Sequence, residues 1–93
     1  MIDYNRVIYK ANVISNQASI LRQQARAMDR LSAIVGHQYV GKDAQCYAQA
    51  VAETRHSLIE IADSLDQVAY QIRASAKRIQ EEESALLAAA ESQ

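Results

Sequence analysis

The chain has 93 residues, 49% of them hydrophobic, and a formal net charge of −1. This length sets a ceiling of one domain, and the near-neutral balance excludes the general basic field of a nucleic-acid binder. No apolar run reaches even ten residues, which excludes a membrane span and predicts that no cleavable signal peptide is present.

The first predicted element is a helix over about residues 2–35. Val7, Ala11, Ile14, Ala18, Leu21, Ala25 and Met28 are separated by alternating steps of four and three. That is the 3.5-residue period of a left-handed coiled-coil seam. Leu31, Ile34 and Val35 continue it, and Arg6, Lys10, Arg22, Arg26 and Arg30 lie on the far side. Asp3 is placed to cap the helix or to favour the positive end of its dipole.

A turn over residues 36–43 follows. It holds both glycines of the chain, Gly36 and Gly41, and the chain has no proline. Gly36 suits the left-handed position that ends helices, and Asp43 suits an N-cap or first-turn position in the next one.

The second predicted helix covers about residues 44–86, with a frayed tail over 87–93. Ala44, Tyr47, Val51, Thr54, Leu58, Ile61, Leu65, Val68 and Ile72 restart the same period. Ala48, Ala62, Ala69 and Ala76 flank this seam and allow close helix approach. The run Glu81-Glu82-Glu83 breaks the stripe, and order is expected to weaken beyond it. The two halves differ in charge. Residues 1–36 carry five Lys/Arg against two acids, and residues 37–93 carry five against nine.

These elements predict an all-α fold: one domain over 1–93, an antiparallel two-helix hairpin with coiled-coil packing. A core of Ala, Ile, Leu and Val is thin, and domains this small are marginal. The hairpin is therefore expected to join a four-helix bundle on dimerisation. The expected partner-binding seam is Val7, Ile14, Leu21, Met28, Leu58, Ile61, Leu65, Val68 and Ile72, each large aliphatic contributing about 1.5–3 kcal/mol when buried.

Little points to catalysis. His37 and His56 have no ligand-type neighbour at metal spacing. Cys46 stands alone and reads as a buried or half-buried inert thiol. There is no phosphate loop or nucleophile elbow, so no cofactor, metal or reaction is expected. Arg22, Arg26 and Arg30 stand one turn apart and could track phosphates; the acidic second helix favours their pairing with acids instead. Glu60, Asp63 and Asp66 read as a solvated face.

Tyr39-Val40-Gly41 is aromatic-x-Gly at the centre of a helical hairpin. In length, architecture and this motif the chain resembles the WXG family of small, early-secreted-antigen-like proteins of type VII secretion, with Tyr in place of the family's Trp. Tyr47, eight residues on, also fits. The family's Tyr-x-x-x-Asp/Glu export signal after the second helix is absent, because Tyr70 is followed at that spacing by Ala74. Tyr39 and Asp43 do have the spacing, within the turn. That placement is similar to the helical partners of LXG-type toxins, and it implies that Tyr39 and Asp43 form an export pair with Gly41 between them. Asp43 as a plain helix cap stays open beside it.

The resemblance implies a small non-enzymatic type VII secretion substrate or partner, cytoplasmic before export and secreted without a signal peptide. Its partners would be a WXG-like hairpin, an LXG-type toxin's helical region or a second copy, with the type VII ATPase as receptor. No nucleic acid or membrane span enters this reading. The alternatives are a cytosolic secretion chaperone or adaptor and a self-assembling coiled-coil protein.

Overall fold

The computed structural model describes residues 3–38 and 41–92, apart from the side chains of 37 and 38. It shows two long helices, α1 (Tyr4–Gln38) and α2 (Lys42–Glu91), packed against each other along their length, with no strand among the described residues. The molecule is a rod of 79 × 15 × 13 Å. The 50-residue α2 alone accounts for its length, at about 75 Å. With 35 residues, α1 is about 20 Å shorter. We call the end where α1 stops and α2 starts the tip, and the opposite end the base.

Local chemistry explains the helix ends. Asp3 caps α1: its Oδ1 accepts the backbone N–H of Arg6 at 3.1 Å, satisfying one of the first-turn donors. Gly41 precedes α2 with φ 109° and ψ −171°, a conformation nearly confined to glycine. No side chain caps α2; Asp43 sits in its first turn, where its charge complements the helix dipole.

Two boundaries differ from the sequence reading. Gly36 does not end α1, which runs on to Gln38. An internal glycine costs a helix only about 1 kcal/mol, so it does not force a stop. Nor does helical order end near residue 86, since α2 continues to Glu91. The Glu run and the Ala85–Ala90 stretch are both good helix formers. Tyr39 and Val40 lie outside the described residues.

The core is almost entirely alanine. Ala11, Ala18 and Ala25 on α1 and Ala62, Ala69 and Ala76 on α2 are buried, together with Val51. Each set repeats every seven residues, so one alanine row of each helix faces the other. The large aliphatics of the predicted seam do not occupy the centre; among the described residues no large side chain is fully buried. Small side chains let the two backbones approach, and leucine at these positions would hold them apart. Such a core is modest: each buried methyl contributes about 0.8 kcal/mol.

Candidate functional site

Each alanine row has two flanks. Residues three positions after an alanine lie on one side of it, and residues four after lie on the other. The four-after flank is polar: Ser15 and Arg22 on α1, Asp66 and Arg73 on α2. These residues meet across the hairpin. Arg22 binds Asp63 at 2.8 Å and Asp66 at 2.6 Å, and Arg73 donates to Asn12 Oδ1 at 2.8 Å and to Ser15 Oγ at 2.9 Å. Nearer the tip, Arg55 takes a place in the α2 alanine row. Its Nε lies 2.7 Å from Asp29 Oδ1, an ion pair whose N–H points off the oxygen, so that this nitrogen has no hydrogen-bond acceptor. Hydrogen bonds to Asp63 first, then Asp66, hold the Arg22 pKa above its usual value.

Because the struts join the polar flanks of both helices, both flanks lie on one broad face. The two three-after flanks must then share the opposite face, and they are apolar. Ile14, Leu21 and Met28 come from α1, and Leu65, Ile72 and Ile79 from α2; all are half-buried. A second row runs outside this one. On α2 it presents Ile61, 50% exposed, and Val68, 44% exposed, with Thr54 and Ser75 at its ends. On α1 it presents Gln17, Gln24 and Leu31. The hairpin is thus closed by polar struts on one face and bare and greasy on the other.

All nine predicted seam residues fall on this apolar face. Val7, Ile14, Leu21, Met28, Leu58, Leu65 and Ile72 are half-buried beside the alanine rows, and Ile61 and Val68 stand one row further out. Of the predicted turn motif, Gly41 and Asp43 are exposed at the tip and Tyr39 lies outside the described residues. The pairing of Arg22 with acids of the second helix, favoured from the sequence, is present; the Arg73 and Arg55 contacts were not foreseen. Asp63 and Asp66, read as a solvated face, hold Arg22, while Glu60 pairs with His56 on its own helix at 2.8 Å. A sequence signal existed, since Arg22 and Asp66 each lie four residues after a seam alanine. Cys46 is exposed rather than buried, because it lies near the tip on the side away from α1. Among the described residues, no helix is long and apolar enough to cross a membrane.

The family described as proteins of 100 residues with WXG, WXG100, matches residues 1–84. No curated protein and no solved structure matches the chain.

Proposed function

Because the chain belongs to the WXG100 family, small non-enzymatic helical proteins associated with type VII secretion, we propose that it works by docking. Its apolar face packs on another helical hairpin, and the complex is what the secretion system exports. The observation that carries this reading is the asymmetry of the two faces: among the described residues, the ion pairs of Arg22 with Asp63 and Asp66 and of Arg55 with Asp29 close one face, and apolar rows line the other. The exposed area agrees. The chain shows 7090 Å² to solvent, against about 5,400 Å² for a compact monomer of its mass. The excess is on the order of what one protein surrenders in a large interface.

Within this proposal, Leu58, Ile61, Leu65, Val68 and Ile72 of α2 and Val7, Ile14, Leu21 and Met28 of α1 bury against the partner. Tyr39, Gly41 and Asp43 present the export motif to the ATPase, and an LXG-type toxin's helical region is an alternative occupant of the face. The protein performs no reaction itself and leaves the cytoplasm by the type VII route.

Leu65→Asp tests the docking face, because it places a charge at the middle of the apolar row, where burial without a partner is costly. The variant is expected to lose its complex and its export. Wild-type levels of both would move the interface elsewhere. Appearance in the medium only when the type VII ATPase is intact separates a secreted protein from a resident cytosolic chaperone.

A further inference from the structure

We propose a binding site on the strut face, near the base: Arg73, Asn12, Ser15 and Lys77 form an oxyanion site for a phosphate group, free or carried as a phosphomonoester. The site is separate from the apolar face and does not rest on the docking proposal.

The distribution of charge along the rod points there. The struts set the register of the two helices. Arg22 lies level with Asp63 and Asp66, and Arg73 lies level with Asn12 and Ser15. Residues 4–19 of α1 therefore run beside residues 67–80 of α2. Together these stretches hold Arg6, Lys10, Arg73, Lys77 and Arg78, and no Asp or Glu. The rest of the chain holds five cations and all eleven acids. A chain of net charge −1 thus carries one strongly positive belt, roughly 20 Å long.

Within the belt, the strut face gathers the donors. Arg78 has Glu82 beside it on its own helix, at 3.9 Å. Lys10 and Arg6 precede Ala11, which puts them on the other side of α1 from Asn12 and Ser15. Arg73 is unlike the other strut arginines. Carboxylates answer Arg22 and Arg55, whereas neutral oxygens hold Arg73: its Nη2 donates to Asn12 Oδ1 at 2.8 Å and to Ser15 Oγ at 2.9 Å. These bonds fix the guanidinium without cancelling its charge.

Arginine has five N–H donors, and Nη2 supplies two of them here. The Nε and Nη1 donors meet no acceptor among the described residues, and neither nitrogen is shut away from solvent. The two partners are donors as well, since Ser15 keeps its O–H and Asn12 its amide N–H groups. Lys77 follows Arg73 by one turn, on the same edge of α2. It is exposed and has no ion pair among the described residues. Two cations and two neutral donors converge, with no carboxylate among them. A carboxylate ligand would bring two oxygens and one charge. A phosphate group brings at least three oxygens and close to two charges near pH 8, which matches this set, and charge-assisted hydrogen bonds to phosphate are strong ones.

Titration of the full chain tests the site, read by proton–nitrogen correlation spectra near pH 8 at constant ionic strength. Inorganic phosphate and glycerol phosphate are added separately; dimethyl phosphate, a monoanion of similar shape, and acetate are the comparisons. Both phosphates are expected to give saturating shifts at Asn12, Ser15, Arg73 and Lys77, and dimethyl phosphate and acetate much weaker ones. Arg73→Gln is expected to weaken binding about tenfold at wild-type helicity. Arg30→Gln makes the same change in net charge at an exposed arginine about 25 Å along the rod and is expected to change binding little. Lys77→Gln repeats the test without touching a strut and is expected to weaken binding severalfold. Shifts from glycerol phosphate alone assign the site to esters, and shifts from both ligands assign it to the phosphate group itself. Three results overturn the proposal: no saturating shift, shifts as large at Arg26 and Arg30 as at Arg73, or acetate binding as tightly as phosphate. Wild-type binding by Lys77→Gln and by a helical Arg73→Gln overturns it too.

Discussion

Replacing Ala18 with leucine separates two accounts of the core that predict opposite signs. Ala18 is fully buried midway along α1, in the row that faces the alanines of α2. Leucine adds three carbons. If the seam had room for them, they would stabilise the hairpin by about 2.4 kcal/mol at 0.8 kcal/mol per carbon. The structure leaves no room, since the small side chain is what lets the backbones approach. Overpacking of this kind costs about 1–3 kcal/mol. In a chain of this size each kcal/mol moves Tm by about 4–8 °C, so a fall on the order of 10 °C is expected. The assay is thermal unfolding followed by circular dichroism at fixed chain concentration, because association shifts Tm. Ile20→Leu, a change of shape at an exposed position, is the control and is expected to change Tm far less. A rise in Tm for Ala18→Leu would refute the close-packed alanine seam.

The remaining predictions concern the turn, the struts and export. Gly36→Ala is expected to stabilise the chain by about 0.5–1 kcal/mol, because α1 runs through Gly36 and an added Cβ there meets no atom within 4 Å. Gly41→Ala is expected to destabilise it by about 1–3 kcal/mol, because φ is 109° there; denaturant titration reads both, and a matched sign would contradict the two backbone assignments. Arg22→Ala removes two partly exposed ion pairs and is expected to lower Tm only slightly, and by less at high salt. Tyr39→Ala and Asp43→Ala are expected to leave far-ultraviolet helicity near wild type and to block export; normal secretion of both would remove the turn from the export account.

The hairpin and the 3/4 spacing were legible because alternation of apolar residues survives in any packing partner. What the sequence reading could not rank was alanine against leucine. Hydropathy favours large aliphatics as the seam, so Leu58, Leu65 and Ile72 were read as its centre and Ala62, Ala69 and Ala76 as its flank. Distance between backbones decides otherwise: the alanines take the centre, and the aliphatics move to one side. On α1, where Ala11, Ala18 and Ala25 alternate with Ile14, Leu21 and Met28, the pattern already held both rows. That Asp63 and Asp66 are the acids that hold Arg22 was hidden for a related reason. Which of the two flanks a charged residue joins depends on the choice of central row, and that choice was one position out on α2. Gly36 misled because a glycine permits a helix end without requiring one.

By the docking proposal the hairpin is half of a structure, its apolar face covered by another hairpin, which for the chain alone is a second copy. Sedimentation of the purified chain beside Leu65→Asp measures this directly. Wild type should run at twice the 10.3 kDa chain mass and the variant at the single mass. A wild-type chain that is helical, stable and single under the same conditions would contradict it.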